Sequence, residues 1–315
     1  MTVDDGNFVL HGAILYMKSE EELFETADGY LVCMEGVSAG VFEELPEEFS
    51  DWPLIDCHEE LIIPGLVDTR ADAMLANVRG LGTYLTEEEF LNQYARPEAE
   101  KLASDRQYEK RSFDAFIETI YVGPATRAII NGGPDYAAAA RLARMLDETG
   151  LGGLVGLSCT DAERTAEEVL ENAKKFLARI KRRRLANVKP ALLIDEEKTS
   201  AALKEALQRL TEEADVSVLD MQPPLRGRQA DFVRAAADEA GSFEEFFSAL
   251  TLKPGRPIGD VGTFAPGSEF DAVILSDVNL DTMRELTPAE RLLRVLNYGD
   301  DRSVVGKFVN GWKVY

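Results

Sequence analysis

The chain has 315 residues, 45% of them hydrophobic and 29% charged, and a net charge of −23. That length allows one large domain or two modest ones, and the charge argues against nucleic acid or an anionic membrane surface as partner. The N-terminus is acidic, no apolar run is long enough to cross a bilayer, and Cys33, Cys57 and Cys159 are too scattered for a zinc motif or a disulfide framework, which together predict a cytoplasmic protein with reduced thiols.

Residues 8 to 64 read as short strands punctuated by glycine and acidic residues: Phe8–Tyr16, Gly29–Glu35, Gly40–Glu44 and Glu60–Ile63. The two histidines, His11 and His58, fall here and read as plain strand or turn residues. From Leu66 the pattern changes to apolar strands alternating with amphipathic helices, which predicts parallel βα units.

The first unit is Gly65–Thr69 with helices Thr86–Tyr94 and Asp105–Tyr121, and Thr86 with Glu89 forms a capping-box signature. Strand Thr126–Asn131 precedes helix Pro134–Glu148, with Pro134 as its first residue and Gly150 past its end. The turn Asn131-Gly132-Gly133-Pro134 lacks the phosphate-loop pattern. Strand Gly153–Ser158 precedes helix Asp161–Arg184. The run Lys181-Arg182-Arg183-Arg184 closes that helix, where cations suit the negative end of the dipole. Cys159 stands between this strand and helix. A helix N-terminus lowers a thiol pKa, but a lone cysteine there reads as inert.

Strand Pro190–Asp195, helix Thr199–Glu213 and strand Val216–Met221 follow, then Pro223-Pro224 and helices Gln229–Ala240 and Ser242–Leu250. That is about five βα strands. A complete (β/α)₈ barrel needs eight and roughly 250 residues, whereas about 190 lie between Gly65 and Pro254. The tail returns to strands: a turn at Pro266-Gly267, an apolar run to Leu275, helix Pro288–Leu296, and Ser303–Val309 joined by Asn310-Gly311 to Trp312–Tyr315. Asn-Gly is a strong hairpin signal.

The segment Leu61-Ile62-Ile63-Pro64-Gly65-Leu66-Val67-Asp68-Thr69-Arg70-Ala71-Asp72-Ala73 resembles the first barrel strand of the amidohydrolase superfamily, P-G-L-V-D-T-H-x-H. The run from Gly262 to Asp271 and the terminal Val309-Asn310-Gly311 resemble the superfamily's closing strands. The likeness is nearest to guanine deaminases, through Val78-Arg79-Gly80-Leu81-Gly82, Ala125-Thr126-Arg127-Ala128 and Asp300-Asp301-Arg302. It covers residues 8 to about 220 and about 243 to 315. It implies an α/β fold: a truncated, TIM-barrel-derived domain over 65–255, inserted into a small β-sandwich of 1–64 and 256–315.

The resemblance also implies working residues, and this chain departs from each. The two metal-binding histidines of the first strand fall on Arg70 and Asp72. The purine-binding glutamine falls on Leu75. The substrate-binding arginine and its aromatic neighbour fall on Asp195 and Glu196, and the third metal histidine falls on Asp220. The later strands, with the remaining ligands, have no recognisable counterpart.

Zinc prefers nitrogen and sulfur ligands, so the expectation is no zinc and no guanine deamination: a degenerate deaminase acting as scaffold, partner or sensor. A homo-oligomer or a catalytic homologue would cover the open barrel edge. The alternative is a hydrolase with a carboxylate-based or metal-free site, since Asp72, Asp195, Glu196 and Asp220 suit a hard cation. Arg70 opposes that alternative by repelling a cation and is expected to pair with Asp72 or Asp220. Neither histidine lies in the βα region, so no Ser-His or Cys-His couple is available there.

Overall fold

The computed structural model describes residues 6–214, 216–221, 231–280 and 282–315. Gln222, Pro223-Pro224 and the expected helix start at Gln229 lie outside the described residues. The described strands are β1 (Phe8–Met17), β2 (Leu23–Met34), β3 (Val37–Phe42), β4 (Leu54–Pro64), β5 (Leu66–Asp72), β6 (Ala125–Asn131), β7 (Gly152–Ser158), β8 (Val188–Ile194), β9 (Ser217–Asp220), β10 (Ala272–Leu275), β11 (Val304–Val309) and β12 (Trp312–Lys313). The α-helices are α1 (Glu87–Phe90), α2 (Arg96–Ser104), α3 (Arg106–Val122), α4 (Tyr136–Asp147), α5 (Ala166–Arg183), α6 (Ala201–Ala214), α7 (Asp231–Glu239), α8 (Phe243–Leu250), α9 (Leu252–Gly255) and α10 (Pro288–Tyr298). No helix among the described residues is long and apolar enough to cross a membrane.

The chain divides into two compact units. One comprises Met1–Val67, Ile120–Arg127 and Val233–Tyr315, and the other Asp68–Thr119 and Ala128–Phe232. Within the segment expected as one domain from 65 to 255, residues 120–127 and 233–255 group with the terminal strands. Polar side chains of β6 and β11 account for part of this, as described below.

The first unit is a mixed seven-stranded sheet ordered β12-β11-β10-β4-β1-β2-β3. Strand β1 is an interior strand, buried on both faces. Phe8, Leu10, Ile14 and Tyr16 join Leu31, Ile62, Phe264, Phe270, Ile274 and Phe308 in one cluster, while Val9 packs on the other face with Val32 and Phe49. Phe8 sits edge-on to Phe270 and stacks on Phe308. β4 pairs parallel with β1, but Gly12 faces Cys57 and Ala13 faces Leu61, so residues 58–60 bulge from the ladder. A Cβ on Gly12 would sit 2.3 Å from the Cys57 carbonyl oxygen, so the close approach there requires glycine. β11 and β12 form the expected hairpin. Asn310 and Gly311 both have positive φ, at 50° and 75°, as a type I′ turn demands.

Four of the motifs that carry the family likeness meet inside this unit. The Arg127 guanidinium is 3% exposed and grips Asp271, 1% exposed, with Nε 2.5 Å from Oδ2 and Nη2 2.9 Å from Oδ1. Nη2 also donates to Glu269 and to the Asn310 side chain. The Asn310 backbone N–H and the Thr126 hydroxyl donate to the same Asp271 carboxylate. The Gly65 N–H donates to the Asp271 carbonyl, and a Cβ on Gly65 would fall 1.9 Å from the Thr126 hydroxyl. Pro64-Gly65, Thr126-Arg127, Phe270-Asp271 and Asn310-Gly311 therefore form one buried polar pin.

Lys307, in the middle of β11, is a second pin. It is fully buried, and its ammonium donates to the carbonyls of Ile120, Tyr121 and Ala125 at 2.8–3.0 Å. Two of these are last-turn carbonyls of α3, which the helix itself leaves without donors.

The second unit holds a five-stranded parallel sheet ordered β5-β6-β7-β8-β9. Helices follow β6, β7 and β8 in the βα rhythm the sequence predicts. Thr86 caps α1 with its Glu89 capping box. The α4 cap is Asp135, whose side chain accepts the Ala138 N–H, so Pro134 precedes the cap rather than opening the helix. Helix α5 begins at Ala166, five residues later than expected, because Thr165 and Glu168 form a second capping box.

Candidate functional site

In a parallel sheet with helical crossovers, chemistry sits at the carboxyl ends of the strands. Here those ends bring together Arg70 and Asp72 from β5, Asn131 from β6, Leu193 from β8, and Asp220 with Met221 at β9. They enclose a cavity of about 20 Å³, room for a single water molecule. Substrate pockets run to several hundred cubic ångströms.

Asp72 is 8% exposed and both its oxygens are taken. Oδ1 accepts the Met74 N–H at 2.8 Å, where Asp72 caps the 3₁₀ turn Ala73–Val78. Oδ2 accepts the Asn131 side-chain amide at 2.9 Å, and Asn131 in turn accepts the Gly133 N–H. Burial pushes the Asp72 carboxyl up, against these bonds and the Arg79 charge. Arg79 is thus a cation that acts on Asp72. Arg79 and Asn131 escaped the sequence reading. Arg79 was visible only as part of the framework motif Val78–Gly82.

Asp68 lies two residues before Arg70 on β5. It is 2% exposed, and its Oδ1 accepts the Arg70 N–H at 2.9 Å. Burial pushes its carboxyl up to about 6, against that amide and the charges of Arg79 and Arg70. The folded state therefore holds the proton more tightly than the unfolded chain. Its stabilising effect is complete below the unfolded value and is lost as pH rises through about 6. Asp68→Asn is expected to raise the unfolding free energy above pH 7 by about 1–3 kcal/mol, with the gain vanishing near pH 4. Paired thermal melts of both proteins across that range check it.

Of the other expected positions, Asp195, Glu196 and Leu75 lie outside the cavity lining. Asp195 accepts the backbone N–H groups of Glu197 and Lys198, and lies 3.0 Å from the Lys198 ammonium. Burial raises its pKa, but Lys198 and these amides outweigh it and hold the carboxyl below its usual value. Glu196 is exposed, and its side chain pairs with Lys204. Asp220 lines the cavity but is exposed, and accepts the Glu196 N–H at 3.3 Å. Leu75 is core: it packs with Val78 and Phe90. The four carboxylates weighed as a hard-cation site are therefore dispersed, with Asp195 and Glu196 held by lysines.

Cys159 is buried, and burial pushes its thiol up to about 12, which removes the activated-thiol reading. The histidines lie in the other unit. His11 stacks on Tyr30, with Nε2 2.7 Å from the Asp28 carboxylate, and His58 stands on the β4 bulge.

No family model matches the chain, and no curated protein matches it. Solved structures do. Guanine deaminase from C. acetobutylicum with bound guanine superposes at a TM-score of 0.83 and 20% identity, over 98% of this chain and 100% of that one. E. coli guanine deaminase gives 0.69 and 17%, over 98% and 99%. An adenosine deaminase from Xanthomonas campestris with bound zinc gives 0.74 and 13%, over 98% and 92%. The chain shares the fold of these deaminase structures.

The resemblance implies a metal at the strand ends, and the residues described there do not make up a ligand set for one. Among the described residues, no group of three or more His, Cys, Asp or Glu side chains is placed to bind a metal ion. Asp72 has both oxygens committed, and the Arg79 guanidinium charge acts on it.

Proposed function

We propose that this chain is a degenerate, guanine-deaminase-like amidohydrolase: a truncated barrel carried by a small β-sandwich, retained as a non-catalytic scaffold, partner or sensor. The observation that carries this reading is the strand-end cavity of about 20 Å³, lined by Asn131 and Asp72, which are hydrogen-bonded to each other and to the Gly133 and Met74 amides. A hydrolase needs room there for substrate and a charge to activate water. The motifs that remain readable support the same reading. They form the Arg127–Asp271 pin, which serves folding rather than chemistry. In this reading a second copy or a catalytic homologue covers β9, a four-residue, half-exposed strand at the sheet edge.

The dispersal of Asp195 and Glu196 weighs against a carboxylate-based hydrolase. Calorimetric titration with guanine is expected to give no saturable heat. Binding at micromolar concentration would remove the support drawn from the cavity.

A further inference from the structure

The outer helices of the second unit hold a cavity of about 380 Å³ between α3 and α4, lined by Arg106, Glu109 and Lys110 from α3 and by Arg141 and Arg144 from α4. Its volume lies in the range of small-ligand sites. Glu109 is buried and forms a two-point pair with Arg141, while Glu148 pairs with Arg144. The Asp105 carboxylate is turned to the Gln107 and Tyr108 amides, capping α3.

The C-terminal half of α5 adds to the charge. Arg183 is half-buried, and its guanidinium is pushed down by desolvation and by repulsion from Arg179, Arg144 and Arg141, with only Glu148 opposing. The basic run that the sequence assigns to the helix dipole is thus, at Arg183, part of a guanidinium cluster contributed by two helices. Crowding like charges is costly, and it runs against the net charge of −23. A bound anion offsets that cost.

We infer that the pocket between α3 and α4, with Arg106, Lys110 and Arg144 in its lining, binds a small phosphate-bearing anion. Guanidinium forks match phosphate oxygens in pairs. The acidic surface elsewhere rejects polyanions such as nucleic acid, which leaves a small ligand as the occupant. This inference is independent of the strand-end reading and stands or falls separately.

The test is calorimetric titration of the full chain, at low ionic strength, with inorganic phosphate, with AMP, and with chloride as control. Saturable binding of phosphate or AMP, absent with chloride, is expected. Arg106→Ala, at an exposed side chain, and Arg144→Ala, at a half-exposed one, both verified as folded by circular dichroism, are each expected to weaken it about tenfold or more. AMP binding much tighter than phosphate identifies a nucleotide as the source; equal affinity identifies free phosphate, and both support the site. Absence of saturable binding, or affinity unchanged in both variants, overturns it. So does a self-associating protein whose dimer the same substitutions loosen while phosphate gives no heat.

Discussion

Arg127→Met is expected to lower the unfolding free energy by about 3–5 kcal/mol, because it strands the Asp271 carboxylate in the interior. Asp271 is 1% exposed, and its attraction to Arg127 is what offsets its loss of water. The remaining donors, the Thr126 hydroxyl and the Asn310 N–H, are neutral and fall short of a guanidinium. Urea titration reads the loss as a lower midpoint. Adding Asp271→Leu to Arg127→Met is expected to recover part of it, since no uncompensated charge then remains. A single variant within about 1 kcal/mol of the parent would show that the pin contributes little.

Lys307→Met is the second large effect. Burial pushes the Lys307 ammonium down to about 7, and removing the charge relieves that cost. The substitution also leaves the Ile120, Tyr121 and Ala125 carbonyls without their shared donor. Each buried acceptor left unpaired costs about 1–3 kcal/mol, and the C-terminus of α3 loses the cation that suits its dipole. A net loss of about 2–4 kcal/mol is expected, with hydrogen exchange rising first at the end of α3. Unchanged stability together with unchanged protection of Ile120–Val122 would contradict this account of Lys307.

The βα rhythm was legible because apolar strands and amphipathic helices have different periods, and caps such as Thr86 and Thr165 are local chemistry. Strand β2 was read at about half its length and β4 at about a third. Polar, exposed residues from Glu25 to Asp28 and the bulge at 58–60 break the apolar pattern, although the backbone pairing continues. Arg127 stood out as a motif residue, but its partner Asp271 lies 144 positions away. Lys307 carried no signal, since a lysine inside an apolar strand reads as solvent-facing.

The candidate site was legible only in part. Arg70, Asp72 and Asp220 do line one cavity. Asp195 and Glu196 also follow a strand end, yet their oxygens turn to neighbouring amides and lysines within a tight turn. No periodicity encodes that choice. Asn131 and Arg79 could be placed only once β5 and β6 were seen side by side.

Metal content is the most direct test of the central claim, that the strand ends no longer carry metal chemistry. The chain, expressed with zinc supplementation and dialysed, is analysed for bound metal and assayed for ammonia release from guanine. Trace metal far below one ion per chain, with no ammonia above background, is the result expected from Arg70 and the committed Asp72. About one zinc ion per chain, retained through dialysis and accompanied by guanine turnover, would contradict it.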